Sequence, residues 1–132
     1  MTKKLKIVFR VAFYLYLVAI AVLCFGKFSN MPAVTETILG IPTDKVVHFA
    51  MFLPFPILAF LAYDKFTGTV RSVLLFALVT FLAGCLIAAG TEIGQACLTE
   101  YRSGDPGDFV ADLLALFTGS VIATGIDLRQ LK

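Results

Sequence analysis

The sequence predicts an all-α integral membrane protein, a bundle of four transmembrane helices with both termini in the cytoplasm. Three observations predict it. First, 59% of the 132 residues are hydrophobic and only 15% are charged, with a mean hydropathy of +0.92. A soluble domain of this size cannot cover that much apolar surface. Second, the apolar residues fall into four continuous runs close to the roughly 20 residues a spanning helix needs. Third, the basic residues are distributed unevenly between the two sides that four spans would create. The length suits a single domain, residues 1–132.

The first span runs from Ile7 to Phe25. Its basic flank and the Ala19-Ile20-Ala21 stretch also resemble a secretory signal peptide. The apolar run continues past that stretch to Phe25, which favours an uncleaved span. Leu23 before Cys24 is a poor lipoprotein cleavage residue. The second span runs from Val46 to Tyr63, with Pro54 and Pro56 inside it. Each proline lacks an amide hydrogen, so the carbonyls of Ala50 and Phe52 lose helix partners and a kink is expected. The third span runs from Val73 to about Ala89, and its helix continues to about Gln95. The fourth runs from Phe109 to Ile126. These runs are too continuous for the alternation of a membrane barrel, and lipid demands internally bonded backbone, so they are helices. Gly84 with Ala88, and Gly119 with Ala123, recur at four-residue spacing that permits close helix contact.

Orientation follows from the basic residues. Lys3, Lys4, Lys6, Arg10, Lys65, Arg71, Arg129 and Lys132 fall on one side, against Lys27, Lys45 and Arg102 on the other. The richer side is cytoplasmic. The segment from Thr91 to Asp112 then faces outward, and it holds five of the nine acidic residues.

The polar residues converge on that outer end. Asp44 and His48 are four apart at the start of span two and share a helix face; so do Asp108 and Asp112 at the start of span four. Glu92 and Gln95 are three apart at the end of span three and face together. Part of the pattern suits capping. Thr43 or Asp44 is expected to cap span two, and Asp105, with Pro106 at the first helical position, to cap span four. Lys45 is expected to snorkel to the headgroups, and Arg102 to neutralise a carboxylate. Caps give no reason for Glu92, which sits near a carboxyl end where the dipole disfavours it, or for Asp112. His48 is the single histidine; a carboxylate partner would fix its tautomer and raise its basicity.

Several functions are set aside. A net charge of +2 gives no electrostatic footprint for nucleic acid. Cys24, Cys85 and Cys97 are an odd number without metal spacing; the first two fall inside apolar runs, so inert buried thiols rather than a disulfide framework are expected. One histidine without a cysteine pair fits zinc poorly, and the acidic loop lacks a calcium-binding pattern, so no metal or other cofactor is expected. Thr91, Thr99 and Ser103 are hydroxyls without an activating context, and no nucleophile motif is present.

The stretch "DKVVHFAMF", Asp44 to Phe52, resembles the Asp-Lys-x-x-His-Phe opening of the VanZ-like family, named for a teicoplanin-resistance accessory protein. "EIGQACLTEYRSGDPGDFVADLLALFTG", Glu92 to Gly119, is similar to that family's Glu-x-x-Gln, then Arg, then Asp-x-x-x-Asn, ending in glycines. The resemblance covers about Asp44 to Ile126 and carries over Asp44, Lys45, His48, Glu92, Gln95, Arg102, Asp108 and Gly119. The chain departs from the pattern with Asp112 in place of asparagine and Ala115 in place of glycine. The resemblance implies a small multi-pass protein of the bacterial cytoplasmic membrane acting at the envelope, in contact with membrane lipids.

Three functions compete. One is an accessory binder whose outer mouth holds a lipid-linked cell-wall precursor or an amphiphilic glycopeptide antibiotic through Asp44, Lys45, Gln95, Arg102 and Asp112. Another is an intramembrane enzyme in which His48 is the general acid or base, with Glu92 and Asp108. The last is a purely structural subunit of a membrane complex.

Overall fold

A computed structural model describes residues 1–26, 36–63, 68–100 and 104–132. It contains α1 (Lys3–Phe25), a two-stranded hairpin of β1 (Thr37–Ile38) and β2 (Ile41–Pro42), α2 (Thr43–Phe52), α3 (Pro54–Ala62), α4 (Val70–Leu98) and α5 (Pro106–Gln130). Four helices, counting Thr43–Ala62 as one, are long and apolar enough to cross a membrane. Each begins about three or four residues before its apolar run. Most of the added residues are polar or charged, so hydropathy alone passes over them, yet local caps recruit them into three of the helices. Thr2 accepts from the Leu5 amide, Thr69 and Ser72 form a reciprocal capping box, and Asp105 accepts from Gly107.

The expected cap at Thr43 or Asp44 is not what starts α2. The chain enters the helix straight from β2, with Pro42 at the cap position and no side-chain cap bond. The Thr43 amide is taken by the Glu36 carbonyl instead. The hairpin turns at Leu39 and Gly40, with φ of 51° and 79°. Two consecutive left-handed residues match the right-handed twist of a tight hairpin. A leucine there costs about 1–2 kcal/mol, which is why the turn is hard to foresee from the sequence.

The expected kink divides α2 from α3 at Leu53. Leu53 itself stays helical, with φ −55° and ψ −42°. This joint packs on α5. A Cβ on Gly119 would lie 2.5 Å from the Leu53 carbonyl oxygen and 2.7 Å from Pro56 Cγ. Only glycine permits that approach. α5 also packs along α4, where Leu116 covers Gly84. α1 packs against α3 and, less extensively, α4. The core formed this way centres on Phe13, Ile20, Phe52, Phe55, Ala88, Ala115 and Leu116. Outward faces remain apolar: Leu15, Val79, Leu86 and Phe117 are all well exposed.

The helices alternate in direction. The carboxyl ends of α1 and α4 and the amino ends of α2 and α5 therefore meet at one end, the mouth. Both chain termini lie at the other. There the Arg10 Nε donates to the Ala62 carbonyl at 3.1 Å, its guanidinium lies over the Tyr63 ring, and the Tyr14 and Tyr63 hydroxyls share a 2.7 Å hydrogen bond.

Candidate functional site: a buried histidine among carboxylates

His48 lies one turn inside α2 and is 7% exposed. Around its ring stand carboxylates from two other helices. Nδ1 is 3.0 Å from Asp112 Oδ1 and 3.7 Å from Glu92 Oε1, and Nε2 is 3.5 Å from Asp108 Oδ2. The helix periods explain the convergence. Asp108 and Asp112 are successive turns of one α5 face, and Glu92 is brought opposite them by the packing of α4 on α5. Glu92 and Asp108 are each 8% exposed, and Asp112 is wholly buried.

Outside this group sits a second, wetter layer. Lys45 Nζ reaches Asp105 Oδ2 at 2.9 Å, Asp108 Oδ1 at 3.2 Å and Asp44 Oδ2 at 3.5 Å. Lys45, expected to snorkel to the headgroups, folds over the amino end of α5, where three carboxylates gather round its ammonium. Gly107 makes room, since a Cβ there would meet Lys45 Cε at 2.7 Å. The Lys45 ammonium, and then the Gly107 amide, hold the Asp105 carboxyl below the usual carboxylate range. Asp44 is at the rim, its side chain about half exposed.

Asp105 joins the two layers. Its side chain takes Lys45, while its backbone amide donates to Glu92 Oε2 at 3.0 Å. The sequence shows Asp105 only as a cap, because a contact from a backbone amide leaves no pattern in side-chain spacing. Tyr16 is a second residue that spacing does not single out: its hydroxyl donates to the Met51 carbonyl, one turn below His48. A tyrosine within an apolar run, one of two there with Tyr14, was the available signal.

One of the expected site residues stands elsewhere. Gln95 is buried but turned away from the histidine; its Nε2 donates to the Cys24 carbonyl at 2.8 Å, closing the end of α1. Three residues along a helix leave about 60° between side-chain directions, so the two share a broad face, yet α1 takes Gln95 while the α5 cap takes Glu92. Arg102 lies outside the described residues.

Acceptors exceed donors here. Glu92 Oε1 and Asp112 Oδ2 are buried without a hydrogen-bond partner among the described residues. One nitrogen of His48 and one oxygen each of Glu92 and Asp108 lie within 4.8 Å of one another, as do oxygens of Asp44, Asp105 and Asp108. Of the hydroxyls singled out from the sequence, Thr91 Oγ1 is committed to the Ala88 carbonyl at 2.8 Å.

Two apolar cavities flank the mouth. One of about 540 Å³ runs between the hairpin, α2 and α5, and is lined by Leu39, Ile41, Lys45, Phe49, Val110 and Leu114 among others. The other, of about 370 Å³, lies between α4 and α5 and touches Glu92, Asp105 and Phe109. No family model, curated protein or solved structure matches the chain.

Proposed function

We propose that this chain is a VanZ-like protein of the bacterial cytoplasmic membrane, and that its mouth faces outward and binds an amphiphilic envelope ligand. That ligand is a lipid-linked cell-wall component or a lipoglycopeptide antibiotic. Lipid would cover the exposed aliphatic faces, and the orientation is supported by the charge asymmetry. Lys3, Lys4, Lys6, Arg10, Arg71, Arg129 and Lys132 belong to the terminal end, against Lys45 among the described residues of the mouth.

The observation that carries the binding reading is the 540 Å³ cavity, apolar along most of its length and ending at Lys45. Apolar walls with a few convergent polar groups at one end suit a chain-bearing ligand with a polar head. Lys45 is the cation at that junction, and the hairpin tip, with Leu39 almost wholly exposed, extends the apolar wall.

A second reading is an enzyme acting on the same class of ligand, with His48 as general acid or base. The 3.0 Å contact between His48 Nδ1 and Asp112 favours it, since a carboxylate behind an imidazole fixes its tautomer.

Titration of the detergent-solubilised chain with teicoplanin, and separately with a polyprenyl-diphosphate-linked sugar, tests the proposal. Saturable binding of at least one is expected. Val110→Trp, which fills the cavity from an exposed position, should weaken it about tenfold or more, the loss of roughly 1.4 kcal/mol of contact. If neither ligand binds, or if Val110→Trp binds as well as wild type, the binding reading fails. Time-dependent breakdown of the bound sugar lipid would move the reading to the enzyme.

A further inference from the structure

We propose that His48, Glu92 and Asp108 form a site for one divalent transition-metal ion, zinc or manganese, with Asp112 orienting the imidazole. The inference deepens the preceding reading, since the ion would sit in the same mouth. It does not need an amphiphile, so either can fail alone.

The argument starts from how each carboxylate is held. Glu92 is fixed through Oε2 by the Asp105 amide, and its Oε1 is buried and unpartnered among the described residues, 3.7 Å from the histidine. Asp108 is fixed through Oδ1 by Lys45, and its Oδ2 faces His48 Nε2 at 3.5 Å. Asp112 is fixed through Oδ1 by His48 Nδ1 and has an unpartnered Oδ2. Three buried carboxylates are thus each anchored through one oxygen while the other remains available around a single imidazole. An unpartnered buried carboxylate oxygen is costly, and a cation is the ligand that offsets it.

Spacing and donor type narrow the ion. A tetrahedral ion with bonds of about 2.0–2.2 Å holds its donors roughly 3.3–3.6 Å apart. The 3.5 Å between Nε2 and Asp108 is already on that scale; Glu92 Oε1 stands nearer Nδ1, at 3.7 Å, and must turn toward Nε2 for the trio, within 4.8 Å, to close on one ion. Asp112 occupies Nδ1, which leaves Nε2 for the ion and reproduces the carboxylate–histidine–metal arrangement that raises ligand basicity. An imidazole in the donor set selects zinc or manganese over magnesium or calcium, which take oxygen. The 370 Å³ cavity lined by Glu92 and Asp105 gives an approach from the α4–α5 side. Sequence spacing conceals such a site because its three ligands come from three helices and include no cysteine.

The test uses the full chain in detergent, stripped with chelator and dialysed against Zn²⁺ or Mn²⁺ alone. One equivalent of metal should remain per chain, with excess Mg²⁺ or Ca²⁺ failing to displace it. The Mn²⁺ form should show nitrogen hyperfine coupling from His48 in pulsed electron paramagnetic resonance. Glu92→Gln, nearly isosteric, should weaken binding about tenfold or more, and Asp44→Asn at the rim should not. Absence of a stoichiometric ion, absence of nitrogen coupling, or undiminished affinity in Glu92→Gln would overturn the proposal. The coupling is read on wild-type protein, so the decision stands even if a variant fails to fold.

Discussion

The same two elements meet twice, in opposite styles. At the kink, Leu53 and Pro56 press on Gly119 with no space for a methyl group. About two turns closer to the mouth, Lys45 and His48 meet Asp105, Asp108 and Asp112 across the same helix pair. With Asp44 and Glu92, five carboxylates there face one lysine and one histidine among the described residues. The kink is filled by shape. The mouth has acceptors left over. Position along the bundle therefore separates what specifies the fold from what can act on a ligand. A few polar atoms elsewhere also lack partners, Ser120 Oγ and Asp127 Oδ2, but neither stands in a cluster.

The sharpest way to break this contrast is to overfill the kink. Gly119→Val would drive its side chain into the backbone carbonyl of Leu53, which cannot move aside as a flexible side chain can. A loss of about 3 kcal/mol is expected, at the upper end of overpacking costs. Gly90 on α4 is the control, since a Cβ there meets nothing within 4 Å. Gly90→Ala should stabilise by roughly 0.5–1 kcal/mol through helix propensity. Melting curves in detergent decide. A Gly119→Val protein as stable as Gly90→Ala would mean the joint is not tight.

The next largest effect tests whether the mouth is held by its histidine. His48→Asn removes the group that Glu92, Asp108 and Asp112 share and leaves three buried carboxylates facing one another. About 3 kcal/mol should be lost, as when one member of a buried charged pair is deleted. Asp112→Asn in the same chain removes one excess charge and should recover more than about 1 kcal/mol, so the two changes are non-additive. A double-mutant cycle on melting free energies measures this. Additive losses would show that His48 and Asp112 act independently despite their 3.0 Å contact.

Much of this was legible in the sequence, for identifiable reasons. Apolar runs near 20 residues are long enough to average over side-chain detail, so the four helices are visible. The i, i+4 pairs placed His48, Asp108 and Asp112 at one end because helix periodicity is rigid over one turn. Pro54 and Pro56 announced the kink, and Asp105-Pro106 the start of α5. What escaped depends on choices made between elements. Lys45 has a long stem and turned to three carboxylates rather than to the boundary. Gln95 was captured by the open end of α1. The hairpin at Leu39 breaks the residue preferences of its own turn, and it displaced the cap expected at Thr43. The unpaired oxygens of Glu92 and Asp112 are a balance over four helix ends, which no single segment displays.

The smallest expected effect concerns the outer layer, where the contrast with the buried group can be sharpened by acid. Asp105 caps α5 through the Gly107 amide at 2.8 Å and holds Lys45 at 2.9 Å. Lys45 first, and the amide second, keep its carboxyl below the ordinary range. A group whose folded value lies below its unfolded one, about 3.9 for aspartate, stabilises the fold above that unfolded value. The contribution fades as pH falls through the lower folded value. Wild type should therefore lose stability on acidification from about pH 4 downward, in part through Asp105. Asn at this position can still cap the helix but has no proton to gain. Asp105→Asn should be somewhat less stable than wild type at neutral pH, should lose less stability than wild type between about pH 4 and pH 2, and should converge with wild type in strong acid. Melting temperatures across that window check it. If the two proteins show the same pH slope, the Lys45 contact does not couple proton binding to folding. The outer layer would then be a solvated rim, and the buried histidine group alone would distinguish the mouth from the rest of the bundle.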